Sequence, residues 1–166
     1  MKTLVAYLSQ TGNTKKVAEA IYAAVEGDKE IKPVKEVRDL EGYDLAFLGF
    51  PVLNQGLAPQ ARRFLESATP GKRVALFITH AAPQDAPELP ATLDKFRNAC
   101  AGADVVGLFD CRGQLGKMVK AMMRVMPDPK LRHWAKIDDS QGYPDAASLG
   151  RAAAWAQETM ARSSRT

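Results

Sequence analysis

The chain alternates short, continuous apolar runs with stretches in which apolar residues recur every three or four positions. The runs are Leu4-Val5-Ala6-Tyr7-Leu8 within 2–8, Leu45-Ala46-Phe47-Leu48-Gly49-Phe50, Val74-Ala75-Leu76-Phe77-Ile78-Thr79 and Val105-Val106-Gly107-Leu108-Phe109. A short run that is apolar at every position suits a strand covered on both faces, as in the middle of a parallel sheet. Residues 31–37 instead alternate and include Pro33, which suits an edge strand, where a missing N–H costs little. Helical spacing fills the intervals. Val17, Ala18, Ile21 and Val25 mark a helix over 13–26, before Gly27-Asp28. Pro59 opens another to Ala68, and Leu93, Phe96, Arg97 and Cys100 mark a third, closed by Gly102. Asp145 is placed to cap a last helix from Ala146 to about Ala161, with 163–166 as a frayed tail. Residues 80–90 read as a loop rich in Pro and Ala.

Strands alternating with helices in this order predict an α/β fold: a doubly wound, five-stranded parallel sheet with three α/β/α layers. Right-handed crossovers place helices on both faces. The whole of 1–166 reads as a single domain, with one helical insert at about 115–134 between the last strand and the last helix. There Leu115, Met118, Val119, Met122, Met123 and Met126 recur at helical spacing among Lys117, Lys120 and Arg124, and Pro127-Asp128-Pro129 ends the pattern. The helix over 115–126 is expected to be a docking surface, its adaptable Met side chains suited to repacking against a partner and its cations beside the site; the alternative is a Met stripe packed on the sheet edge with solvated cations. In such sheets ligands sit beyond the carboxyl ends of the strands. Loops 9–14, 51–57 and 80–87 meet there, with 110–115 beside them.

The first of these loops carries the most chemistry. Ser9-Gln10-Thr11-Gly12-Asn13-Thr14 joins a buried strand directly to a helix. Unpaired N–H groups and the positive end of the helix dipole gather there, which suits a phosphate. Ser9, Thr11 and Thr14 add hydroxyl donors, and Gly12 permits a left-handed turn. No Lys lies inside the loop, so it is not built for a triphosphate with Mg²⁺; Lys15 and Lys16 lie just beyond it.

Composition adds bounds. The 166 residues carry a net charge of +4 with ordinary apolar and charged fractions. Neither a signal peptide nor a run approaching a membrane span is expected, and the reading of both cysteines as reduced thiols carries the expectation of a cytoplasmic protein. The two cysteines, Cys100 and Cys111, have no metal-ligand spacing and read as reduced thiols, Cys111 near the mouth of the site beside Arg112. No nucleic-acid motif is present, nor a GxGxxG or GxSxG sequence.

The loop 9–14 resembles the phosphate loop of the flavodoxin family. Gly49-Phe50-Pro51 at a strand exit and Gly142-Tyr143-Pro144-Asp145 before the last helix are also similar to that family. The resemblance implies a flavodoxin-like fold holding FMN, with the phosphate on Ser9, Gln10, Thr11, Gly12, Asn13 and Thr14. It places Pro51, Val52, Leu53, Asn54, Gln55 and Gly56 against the flavin ring, with Asn54 and Gly56 serving the peptide that bonds N5 and turns over on reduction. It places Thr79, His80, Ala81 and Ala82 on the ring's other edge. His80 could hydrogen-bond the ring, although a lone His at a strand end is more often a surface residue. The family often stacks an aromatic residue on the ring from the second loop, where this chain has Val52 and Leu53. The carboxylates that ring the cofactor in acidic flavodoxins are reduced here to Asp85 and Glu88. No metal and no catalytic side chain is implied.

The functional expectation is an electron carrier that serves a partner oxidoreductase. That partner is expected to be acidic and to dock near Lys117, Lys120 and Arg124, with peripheral contact to an anionic membrane as a further option. One alternative is a stand-alone FMN-dependent oxidoreductase using a quinone or similar acceptor. It is suggested by a secondary resemblance of the insert to quinone-dependent protoporphyrinogen oxidases. Another is a cofactor-free binding module on the same fold.

Overall fold

The computed structural model describes residues 1–165. Five parallel strands form one sheet: β1 (Lys2–Tyr7), β2 (Asp28–Pro33), β3 (Leu45–Pro51), β4 (Arg73–His80) and β5 (Asp104–Arg112), in the order β2-β1-β3-β4-β5. The helices are α1 (Asn13–Ala24), α2 (Pro59–Ala68), α3 (Leu89–Ala99), α4 (Lys117–Val125), α5 (Pro129–Ile137) and α6 (Ala146–Ser163). This is the doubly wound flavodoxin-like order. The chain leaves β1 for β2 on one side and resumes with β3 on the other, so the loops after β1 and β3 diverge and open a crevice.

Alternation along the strands divides two apolar clusters between the faces. Leu4, Ala46, Leu48, Phe50, Leu76 and Ile78 pack with Ala61 and Leu65 of α2 and Phe96 of α3. Val5, Leu45, Phe47, Ala75 and Phe77 pack with Val17 and Ile21 of α1 and Ala152 and Ala156 of α6. Because both faces are covered, the central strands read as continuous apolar runs. Gly49 is required by packing: a Cβ there would lie 2.0 Å from the Phe77 ring.

Several boundaries differ from expectation. The edge strand runs from Asp28 to Pro33, and Val34–Glu36 forms a 3-10 turn instead of continuing it. Its first residues are polar because an edge strand can expose them. Glu30 there is gripped by Lys32, Lys2 and Tyr43, which hold its carboxyl down to about 2. Helix α1 stops at Ala24, and α3 begins at Leu89 with Pro90 inside its first turn. β5 extends through Arg112, so the fourth loop starts only at Gly113. The insert is two helices and reaches Ile137. Pro127-Asp128-Pro129 ends the first but also begins the second, with Pro129 at the helix start and Asp128 accepting from the Lys130 N–H at 2.8 Å. α6 continues to Ser163, with Ser164 and Arg165 in a turn; Thr166 of the expected tail lies outside the described residues.

Candidate functional site

All five strands point the same way, so the loops after β1, β3, β4 and β5 share one edge, and hydrogen bonds tie four of them together. The Thr14 and Thr79 hydroxyls are 2.8 Å apart. The Val52 N–H donates to the Thr79 carbonyl at 2.8 Å, and the Gly113 N–H to the His80 carbonyl at 2.8 Å. Asn13 Nδ2 donates to the Gln114 carbonyl at 2.8 Å.

In the first loop Gly12 takes a left-handed φ of 92°, and its N–H donates to Ser9 Oγ at 3.1 Å. That turn starts α1, whose leading N–H groups have no acceptor inside the helix. No acidic residue occupies the first turn. Thr11 is exposed, whereas Thr14 is buried with its hydroxyl on Thr79. The donor set at the surface is therefore N–H groups, Thr11 and the nearby Lys15 and Lys16, which fits a small anion such as a phosphate monoester. Thr14 stiffens the loop from beneath.

The second loop is a two-residue turn. Leu53 and Gly56 exchange N–H···O=C bonds of 3.0 Å in both directions, and between them Asn54 (φ 48°) and Gln55 (φ 60°) are both left-handed. This is the type I′ pattern. Left-handed geometry thus falls on Asn54 and Gln55 and not on Gly56. Lys95 of α3, which no sequence signal marked, donates to the Gln55 carbonyl at 2.8 Å. Asn54 and Gln55 are exposed, while Pro51, Val52, Leu53 and Gly56 are half-buried.

In the third loop His80 is not a surface residue; it is 3% exposed. Its Nδ1 lies 2.9 Å from the Ala82 carbonyl oxygen, and its Nε2 lies 3.0 Å from Asp110 Oδ2. Gln84 Nε2 also donates to that carboxylate. Burial pushes the Asp110 carboxyl up, but the bonds from His80 and Gln84 outweigh it and hold the group below the usual carboxylate range. Thr79 is buried, and Ala81 and Ala82 are half-buried. The His80 nitrogens are thus committed within the protein, and the ring braces the loop. Asp110 is a further carboxylate at this edge, beyond the expected Asp85 and Glu88. Depressions of about 520 and 380 Å³ lie beside Gln84 and Asp85, against Asp110 and Arg112 respectively; neither is lined by residues 9–14.

Cys111 lies opposite Thr79 in the sheet, but its thiol does not open to the site. It is fully buried among the residues beneath α1 and α6, and burial, with help from the Asp110 charge, pushes its thiol up to about 12. Burial likewise raises Cys100 to about 11 on the opposite face. Neither thiol has the lowered pKa of a reactive cysteine. Arg112 pairs with Asp139 and lies over the Tyr143 ring, 5.4 Å from its centre.

In the insert the sheet-packed alternative holds only for one methionine. Met123 is buried, but Met118, Val119, Met122 and Val125 are exposed, so most of the apolar stripe faces away from the protein. Lys120 reaches Asp138 at 2.8 Å, while Lys117 and Arg124 are exposed. The helix is held at its base. Gly113 packs so closely on Asn13 that a Cβ would lie 2.8 Å from Nδ2, and a Cβ on Gly116 would lie 3.2 Å from Thr11 Cγ2. The Leu115 N–H donates to buried Ser140 Oγ at 2.8 Å. Residues 113–116 therefore strap α4 to the first loop.

The loops thus gather at the switch-point crevice of a flavodoxin-like sheet, where the first of them presents N–H groups and the exposed Thr11. The flavodoxin domain family model matches residues 4–157, and the chain belongs to that family. A flavodoxin-like domain-containing protein, BilS, from Clostridioides difficile (strain CD3) is 30% identical, with 99% of each chain covered. An archaeal flavodoxin shares the fold with a TM-score of 0.61 at 20% identity, covering 99% of both chains. A flavoprotein from Lactobacillus acidophilus NCFM, solved in complex with FMN, has a TM-score of 0.54 at 24% identity, covering 66% of this chain and 92% of its own. Among the described residues no helix is long and apolar enough to cross a membrane.

Proposed function

We propose that the chain is one FMN-binding domain that carries electrons to or from a partner oxidoreductase in the cytoplasm. The observation that carries this reading is the first loop, with left-handed Gly12 opening α1, no acid in the helix's first turn and Thr11 exposed beside it. These groups would hold the FMN phosphate. Ser9, Gln10 and Asn13 shape the turn, and Thr14 supports it through Thr79. Pro51 to Gly56 and Thr79 to Ala82 would flank the ring, with the exposed Asn54–Gln55 peptide nearest to it. Bound FMN supplies the electron-accepting ring, and the protein supplies orientation and electrostatics. Partner docking draws on Lys117 and Arg124, which project beside the loops, and on Lys120 within its bridge to Asp138; these cations attract an anionic surface.

The first test is the absorption spectrum of the purified protein and titration of apoprotein with FMN and riboflavin. Thr11→Ala should weaken FMN by about tenfold and leave riboflavin unchanged, since only FMN carries the phosphate. Equal losses for both ligands would refute the loop assignment, and a protein that binds neither would be the cofactor-free module. Bleaching of the reduced protein by quinone without any partner would favour the stand-alone oxidoreductase. Charge reversal at Lys117, Lys120 and Arg124 should slow transfer to the partner at low salt and spare FMN affinity.

A further inference from the structure

We propose that the α4–α5 hairpin is a peripheral membrane anchor that lies on an anionic lipid surface. The inference deepens the docking reading above by naming the surface that Lys117 and Arg124 meet, and it does not depend on FMN. Two observations carry it. The first is the apolar face of α4. Met118 is 88% and Val125 82% exposed, with Met122 between them on the same stripe and Val119 at its side. Ile137, at the end of α5, is a further exposed apolar residue of the hairpin.

The second is where the charge lies. Six of the chain's 23 Lys and Arg, but one of its 19 Asp and Glu, fall between 117 and 137. The rest of the chain therefore carries 17 basic and 18 acidic residues, and the whole positive excess belongs to this hairpin. Lys117, Arg124, Lys130 and Lys136 are exposed and make no ion pair among the described residues. A short amphipathic element that combines exposed aliphatic and thioether side chains with unneutralised cations suits a headgroup layer. The apolar side chains enter the acyl boundary, and the cations remain at the lipid phosphates. The strap 113–116, packed on Asn13 and Thr11, would then hold the loop edge of the sheet close to the bilayer, where a membrane-resident redox partner can reach it.

The test is co-sedimentation of the holoprotein with vesicles of phosphatidylcholine alone or containing phosphatidylglycerol, with Trp134 of α5 as a fluorescence reporter. Binding is expected to the phosphatidylglycerol vesicles, with a shift in emission, and release is expected as salt rises. Met118→Ser combined with Val125→Ser should lower partitioning about tenfold, and Lys117→Glu combined with Arg124→Glu should do so to a similar extent. All four positions are exposed, so the variants should keep the parent's melting temperature and FMN affinity. The same holoprotein is titrated with soluble poly-glutamate. Absence of vesicle binding at low salt would overturn the proposal, as would equal binding to both vesicle types. Binding to poly-glutamate as tight as to vesicles, and unaffected by the two Ser substitutions, would also overturn it and assign the cations to an acidic protein. FMN titration in parallel separates failure of the anchor from failure of the cofactor reading.

Discussion

At the scale of single residues, the second and third loops depend on a few strained or bridged side chains. Gln55 adopts a left-handed φ of 60° that a side chain with a Cβ occupies at a cost. Its structural contribution is its carbonyl, which Lys95 holds. Gln55→Gly should therefore raise stability by up to about 1 kcal/mol in chemical denaturation, whereas Gln55→Val should lower it. A Gly56→Ala variant should be near neutral, because its added Cβ meets Lys95 only at 3.7 Å.

Asp110 makes a pH-dependent prediction. Its carboxyl is held below the ordinary 3.8, so the ionised form is favoured more in the folded chain than in the unfolded one. The resulting stability is complete above the unfolded value and is lost as the pH falls through the lower, folded value. Asp110→Asn should cost about 1–2 kcal/mol at neutral pH. The melting curves of variant and parent should converge as the pH drops below the usual carboxylate range. A gap that persists at acid pH would show that the His80 bridge is not its source.

At the scale of elements, Asp145 accepts from the Ser148 N–H at 2.8 Å and caps α6, as the sequence predicts. Asp145→Ala should cost about 1 kcal/mol in thermal or chemical melts. The central strands were legible because burial on both faces leaves an unbroken apolar run. The start of β2 was not legible, since at the edge Asp28, Lys29 and Glu30 satisfy themselves with neighbours and solvent. α5 was hidden because Pro127-Asp128-Pro129 signals a stop as well as a start, with Asp128 the cap and Pro129 the first helical residue. In the first loop, residue types and position conveyed the left-handed turn at Gly12 and the start of α1 directly after it. The type I′ turn was hidden because its left-handed positions hold Asn54 and Gln55 and the Gly follows them. Periodicity located α4 but could not tell which side the rest of the protein covers.

At the scale of the whole molecule, the sheet order sets the site and the insert adds a second surface beside it. FMN held only by the folded chain should stabilise it by mass action, by about 2.7 kcal/mol at a hundred times the dissociation constant. A melting temperature that rises with FMN concentration, and rises less in Thr11→Ala, would tie the ligand to the first loop.

The pairing of α1 with α6 bears on how the protein is made. Trp155 of α6 meets Phe47 edge-on and stacks on Phe109, with both ring centres at 5.5 Å, and Ala152 and Ala156 lie over the same side of the sheet as Val17 and Ile21. On the ribosome, β1 and α1 emerge first and α6 emerges after every other described element. The part of that side that α6 covers must wait for most of translation, with Phe47 and Phe109 lacking Trp155 and open to chaperones and to other nascent chains. A message that stops before Asp145 would release a chain permanently in that state, and cellular quality control should clear it.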